Sequence, residues 1–245
     1  MADQIEQPTT PYPTIGEVCQ AIAGAFDTKS SDPYTKKTLA RLAREGDFDW
    51  SLRNKVVNAL IVRPLSEKFD PEFADFIGRS VQLFLDDHIR LVTHISADAL
   101  SRDQMLPRLM KYAYAGTLAL TLAELREGTQ GPDLLNLLRQ GGNPINAVFA
   151  WAEGTLNLDV TKIAFPDDKQ KRDEIGRWRR GKTIPDLSPT ITQLIAGLKE
   201  HAKGREAHAA LFGKWLFVAR ALAWAARKAQ DAKCDPLLDQ VRREM

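Results

Sequence analysis

Cysteine and histidine are both scarce in this sequence. Its 245 residues include two cysteines, Cys19 and Cys234, which stand near opposite ends of the chain. One isolated pair in a chain of this size argues for a reducing compartment and against a disulfide framework or a cysteine-based zinc site. The four histidines form neither a His-Glu-x-x-His nor a Glu-x-x-His pair, which are the usual metal-ligand spacings. The sequence therefore predicts no metal site and no cofactor.

A long uninterrupted apolar run is also lacking. The most apolar stretch, residues 209–226, is broken by Lys214 and Arg220, whose charges make it a poor membrane span. Residues 1–13 have neither the basic nor the apolar segment of a signal peptide, and their prolines favour a disordered tail. We therefore expect a cytoplasmic protein with no membrane partner.

The motifs of common enzymes are missing as well. The sequence contains no phosphate-binding Gly-x-x-x-x-Gly-Lys-Ser/Thr loop, no dinucleotide-binding Gly-x-Gly-x-x-Gly and no Gly-x-Ser-x-Gly nucleophile elbow. The acidic pairs Asp86-Asp87 and Asp167-Asp168 are better explained as surface and helix-cap charge than as catalytic carboxylates. These absences favour a protein that is not an enzyme.

Helical periodicity dominates what is present. Apolar residues recur at helical spacing from Ile15 onward, and Asp70-Pro71 and Asn143-Pro144 have the order of an N-cap and a first helical residue. No useful run of alternating β-branched residues occurs. The sequence predicts an all-α, multi-helix globular fold that contains a helix-turn-helix-like unit. Its expected parts are a disordered tail (1–13), an N-terminal helical body (14–142), the helix-turn-helix-like unit (143–203) and C-terminal helices that pack on the body or on a partner (204–245).

Charge is unevenly divided along the chain, although the net charge is only +2. Residues 169–245 hold 17 Lys and Arg against 9 Asp and Glu, a balance of +8, whereas residues 1–168 hold 17 against 23, a balance of −6. A basic C-terminal third on an acidic body suggests a polyanion as one partner.

The basic charge is densest in residues 169–182, where seven of the fourteen residues are Lys or Arg. Ile175 and Trp178 stand one helical turn apart among them, and Pro185 and a second amphipathic segment follow. This order predicts a short basic helix with a buried edge, a glycine stop and a supporting helix.

Residues 173–185, which include Ile175, Trp178, Gly181 and Pro185, resemble the recognition helix and following turn of Cro/C1-type (XRE-like) helix-turn-helix domains. The resemblance extends over about residues 143–200 at most. It implies that Ile175 and Trp178 are buried, that the helix contacts DNA, and that the protein is a regulator or a DNA-binding subunit of a bacterial or phage assembly.

The residues predicted to contact nucleic acid lie on or beside the outward face of this helix. With Ile175 and Trp178 inward, helical geometry directs positions 172, 173, 176, 177 and 180 outward. The predicted contacts are Lys169, Lys171, Arg172, Gly176, Arg177, Arg179, Arg180 and Lys182. Arginine suits both phosphates and guanine edges, and glycine permits close approach of the helix.

Two departures from the family keep a second interpretation open. Asp173 and Glu174 put negative charge beside the proposed reading face, and residues 155–167 lack the pattern of the family's preceding helix. The alternative is a helical adaptor or assembly subunit whose helix-turn-helix is a relic that binds protein or RNA.

Residues 35–61 show a weaker version of the same order of basic helix, glycine and apolar helix. The charge there comes from Lys36, Lys37, Arg41 and Arg44. A second basic helix would let one chain span two neighbouring DNA segments.

Near the C-terminus, apolar residues cover more than one face of a predicted helix over 205–230, which favours either the core or a surface for a homo-oligomer or protein partner.

Overall fold

The structure is a computed structural model, which describes residues 15–27, 37, 50–92, 131–134, 137, 140, 142–186 and 189–231. The described residues are largely helical and contain no strand. The prediction of an all-α, multi-helix globular fold is therefore confirmed.

The N-terminal helices form where apolar periodicity and proline caps predict them. Helix α1 is Ile15–Phe26, and its residues Val18, Ile22 and Phe26 are buried. Helix α2 is Trp50–Val57, which continues through a π-helical turn, Asn58–Val62, into the one-turn helix α3, Arg63–Ser66. Helix α4 is Pro71–Val92.

The start of α4 is fixed by Asp70. The Asp70 carboxylate accepts a hydrogen bond from the Phe73 backbone N–H at 2.9 Å, which satisfies one of the free donors at the helix start. Lys214 lies 2.6 Å from the same carboxylate. Although partial burial alone would raise the pKa of Asp70, the hydrogen bonds from Lys214 and Phe73 lower it below its ordinary value.

Five further helices follow in the C-terminal part of the chain. They are α5, Pro144–Leu156; α6, Val160–Ala164; α7, Lys169–Arg179; α8, Pro189–His201; and α9, Glu206–Asp231. Helix α6 was not predicted, because residues 155–167 lack the pattern of the helix that precedes the recognition helix in the helix-turn-helix family. Asp159 caps its start by accepting from the Lys162 backbone N–H at 2.9 Å.

Helix α9 is the central element of the core. It packs along α5 and also contacts α1 and α8. Phe212, Trp215 and Phe217 are buried, with the Phe212 ring 5.4 Å from that of Phe149 and the Phe217 ring 5.2 Å from that of Phe26. The described apolar residues of α9 therefore lie mainly in the chain's own core.

Apolar periodicity and helix-cap signals also predict three helices that fall wholly or largely outside the described residues. They are a helix over 33–45, of which only Lys37 is described, an apolar helix over 106–128 and a short helix after Pro236. Among the helices that the structure describes, none is both long and apolar enough to cross a membrane.

Candidate nucleic-acid interface

Helix α7 has well-defined ends. Asp168 accepts from the Lys171 backbone N–H at 3.0 Å and so caps the start. At the other end Gly181 has a φ of +69°, and two backbone hydrogen bonds close the last turn: Gly181 N–H to the Trp178 carbonyl at 2.9 Å, and Lys182 N–H to the Arg177 carbonyl at 3.0 Å. This pair of bonds is a Schellman motif, which favours glycine at the left-handed position.

The inner edge of α7 is anchored as the sequence predicts. Ile175 is fully buried and Trp178 is 2% exposed, and both belong to the main hydrophobic cluster. Burial of these two side chains fixes which side of α7 faces the solvent.

Asn143 joins the end of α7 to the start of α5. Its Oδ1 accepts from the Ile145 backbone N–H at 3.0 Å and caps α5. Its Nδ2 donates to the carbonyls of Trp178 at 2.9 Å and Arg179 at 2.7 Å. The cap was predictable from Asn143-Pro144, but the bonds to α7 were not, since they join residues more than thirty positions apart.

Arg179 is held against α5 and is not directed to the solvent. Its two Nη atoms donate to both carboxylate oxygens of Glu153, at 2.7 and 3.0 Å, and its Nε donates to Asn146 Oδ1 at 3.1 Å. Its guanidinium also lies 5.2 Å from the centre of the Phe149 ring. These contacts give Arg179 a clear role in packing α7 onto α5.

Arg172 and Lys171 hold the turn between α6 and α7. Arg172 Nη1 donates to the Phe165 carbonyl at 2.8 Å and also to the Pro166 carbonyl. Lys171 donates to Gln193 Oε1 on α8, and its Nζ lies 4.9 Å from the centre of the Phe165 ring. Both side chains are half-buried, although the sequence placed Arg172 on the outward face.

The remaining cations of the segment are exposed. Lys169, Arg177, Arg180 and Lys182 make no side-chain hydrogen bond or ion pair with any residue that the structure describes. The Arg180 guanidinium lies over Gly176, where a Cβ would come within 3.2 Å of its Nη1. Asp173 is exposed on the same face. The eight predicted residues thus divide into three that hold the fold and an exposed set built around Gly176.

Known protein families offer no further guide. No family model matches the chain, and comparison with curated proteins and with solved structures found no match.

The second basic helix is described at one position only. Lys37 is helical and exposed, whereas Lys36, Arg41 and Arg44 lie outside the described residues. The pairing of two basic helices therefore stays a prediction.

Four residues of α5 and α6 that were not predicted as site residues lie beside α7. Asn146, Glu153, Thr161 and Lys162 surround its edge. A polar residue on an amphipathic helix gives no sign of which neighbouring helix it will meet, so nothing in the sequence marked these four.

Proposed function

We propose that this chain is a non-enzymatic DNA-binding protein that contacts the double helix with the exposed face of α7. One observation carries the proposal: Arg177 and Arg180 are exposed one turn apart, with no acceptor among the described residues, on a helix whose opposite side is anchored by Trp178. An arginine that is held in place but unpaired is well suited to bind phosphates or guanine edges.

The order of elements around α7 supports the same function. The short helix α6 ends at Ala164, four residues form a turn, and α7 begins at Lys169. Helix α8 follows and packs against α6. Two helices joined by a short turn, with a third behind them, are the arrangement through which helix-turn-helix proteins place one helix in the major groove.

The exposed carboxylate of Asp173 limits which part of α7 we expect to contact DNA. Asp173 would repel phosphates near the first half of the helix. The cations Arg177, Arg180 and Lys182 lie beyond it, toward the C-terminal end. We therefore expect Arg177 and Arg180 to approach DNA closely, and Lys169 and Lys182 to contact flanking phosphates.

A second candidate function is a helical adaptor or assembly subunit that binds protein or RNA. It is favoured by the engagement of Arg172 and Arg179 within the protein and by the exposure of Asp173. On this interpretation the exposed cations of α7 form a solvated surface or bind an acidic partner.

DNA binding is tested by fluorescence anisotropy with a labelled duplex pool of random sequence, from which a preferred duplex is then selected. Affinity for both DNAs is measured over a series of salt concentrations. We expect binding that weakens steeply with salt, because released counterions drive it. Lys169→Gln and Lys182→Gln should each weaken binding equally on both DNAs and lower the salt slope by about one unit.

Arg177→Gln distinguishes base contact from phosphate contact. A base contact should cost roughly 1–3 kcal/mol on the preferred duplex and less on the pool. The matched controls are Arg63→Gln and Lys55→Gln, which remove one exposed positive charge each from helices α3 and α2. No duplex binding even at low salt would refute the proposal, and binding of a single-stranded or hairpin RNA pool in its place would support the adaptor.

A further inference from the structure

A depression of about 510 Å³ opens where α5, α6 and α7 meet. Three arginines line it, Arg172 and Arg179 of α7 and Arg180 just after its last residue, together with Lys162 and Thr161 of α6 and Asn146 of α5. Arg180 also belongs to the exposed face of α7, so the depression adjoins the surface proposed to contact DNA.

One wall of the depression is held by hydrogen bonds between α5 and α7. Arg179 uses both Nη atoms on Glu153 and its Nε on Asn146 Oδ1. The pairing offsets the charge of Glu153, and it fixes the Asn146 amide with its oxygen toward Arg179. The Asn146 Nδ2 has no acceptor among the described residues and is available to a ligand.

Two guanidinium groups bring further free donors to the depression. Arg172 donates from Nη1 to the carbonyls of Phe165 and Pro166, and its Nε and Nη2 have no acceptor in the described part of the chain. Arg180 lies over Gly176 in space that any other residue's side chain would occupy. All of its donors remain free of described protein acceptors.

A buried hydroxyl adds one more donor without a protein acceptor at this site. Thr161 is one of the residues that line the depression, and its Oγ1 lies just below the surface, shielded from solvent and without a hydrogen-bond partner among the described residues. A buried hydroxyl without a partner is energetically costly, so such groups are normally satisfied by protein, water or a bound ligand.

The carboxylate at the rim does not compete for these donors. Asp159 accepts from the Lys162 backbone N–H at 2.9 Å and pairs with Lys162 Nζ at 3.3 Å. Although partial burial raises the pKa of Asp159, the bonds from Lys162 lower it below its ordinary value. Asp159 is thus an ionised cap of α6, and the free groups of the depression are donors.

We infer that the depression binds one phosphodiester group of the DNA backbone, with Arg180, Arg172, Thr161 and Asn146 donating to its oxygens. The inference rests on the proposed function and names the atoms that would fix the register of α7 on the duplex. A phosphodiester fits because it is an anion made only of acceptors, and arginine forks bind it in a defined orientation. A free phosphate has the same chemistry and is the other source to test.

The experiment tests which phosphate of the duplex each protein donor contacts. Versions of the selected duplex carry a neutral methylphosphonate at one backbone position at a time, and their affinities are measured for the parent, Thr161→Val and Arg180→Gln. We expect each variant to bind the unmodified duplex about tenfold more weakly. One methylphosphonate position should weaken the parent by a similar factor and have little further effect on either variant.

Thr161→Val also separates binding from folding. Valine has the shape of threonine and removes the unpartnered hydroxyl, so the melting temperature should not fall. The salt slope should drop by about one unit for Arg180→Gln and stay unchanged for Thr161→Val. Arg63→Gln, which loses the same charge on α3, should reproduce none of the coupling to the methylphosphonate.

Three results would overturn the inference. If the duplex binds and both variants bind it like the parent, the depression holds no backbone phosphate, although DNA binding stands. The second result is that calorimetry shows binding of inorganic phosphate and that Thr161→Val weakens this binding. If, in addition, no methylphosphonate position changes the affinity for the duplex, the depression is a site for a free anion. If no duplex binds at any salt concentration, both the inference and the proposed function fail.

Discussion

Trp178 is the largest side chain that α7 buries, and it anchors the proposed DNA-contacting face from behind. Trp178→Ala should lower the free energy of unfolding by roughly 3–5 kcal/mol, because it removes a large buried aromatic group and leaves a cavity. Urea denaturation followed by circular dichroism measures the loss. Leu83→Ala is the control, since Leu83 is 57% exposed on α4 and its truncation should change stability little. A Trp178→Ala variant that unfolds like the parent would mean that the indole is exposed in solution.

Gly181 and Gly154 give opposite predictions for the same substitution. Gly181→Ala forces an alanine into a left-handed conformation at a φ of +69° and should cost about 1 kcal/mol. Gly154 is helical, and a Cβ there would meet nothing within 4 Å. Gly154→Ala should therefore stabilise the protein by up to about 1 kcal/mol, because alanine favours the helix. Thermal melts of the two variants measure both effects. Equal shifts in melting temperature would contradict the left-handed conformation of Gly181 at the end of α7.

At the scale of elements, Asn143 connects two helices through one side chain. Asn143→Asp keeps an oxygen that caps α5 but loses both bonds donated to the carbonyls of Trp178 and Arg179. Aspartate is as good an N-cap as asparagine, so a simple cap would tolerate the change. We expect a loss of roughly 1–3 kcal/mol in the free energy of unfolding, since two carbonyls lose their donor and face a carboxylate. A melting temperature equal to that of the parent would show that Asn143 acts only as a cap.

Helices with a cap and several turns of apolar periodicity were predictable from the sequence. Asp70-Pro71 predicts the start of α4, and Asn143-Pro144 predicts the start of α5. Helix α6 was missed because its five residues make little more than one turn, which is too short for periodicity to appear, and because Pro166 follows closely. The π-helical turn at Asn58–Val62 was not predicted either, because its residues carry no local sequence signal that distinguishes it from the α-helical turns on each side.

The candidate interface was predictable in composition but only partly in geometry. A helical wheel identifies Ile175 and Trp178 as inward, and both are buried. Arg172 and Arg179 lie seven residues apart, so they share one edge of α7, between its buried and exposed faces. Whether such an edge meets solvent or another helix depends on tertiary packing. Here it meets Glu153 and the carbonyls before α7, which no property of residues 169–182 reveals.

At the scale of the whole molecule, the acidic body and the basic C-terminal third share one hydrophobic cluster. Buried residues from α1 and α4 belong to the same cluster as Trp178 and the core of α9. The charge division along the sequence therefore does not correspond to two separate cores. The position of the exposed basic face of α7 therefore depends on helices that are distant in the sequence. Helix α9 contacts both α1 and α5 and so connects the N-terminal helices with the helix on which α7 packs.

Arg220 of α9 ties three parts of the molecule together from inside the core. It is 3% exposed, its Nε donates to the Pro185 carbonyl at 2.6 Å, and its Nη2 lies 3.8 Å from the Asp27 carboxylate at the end of α1. Burial lowers the pKa of Arg220, whereas the charges of Asp27 and Asp186 oppose that shift. Guanidinium groups stay protonated in proteins, so the buried charge depends on these contacts for compensation.

Arg220→Met should lower the free energy of unfolding by about 2–4 kcal/mol, because Asp27 loses a buried cation and the Pro185 carbonyl loses its donor. Arg220→Lys keeps the charge but loses the fixed fork of donors, so its loss should be smaller and still measurable. Arg227→Met is the matched control, since Arg227 is exposed on the same helix and its replacement should change stability by less than about 0.5 kcal/mol. Urea denaturation of the three variants gives the order. If Arg220→Met is at least as stable as the parent, methionine fills the site as well as arginine, and α1, the segment before α8 and α9 are held together by apolar packing alone.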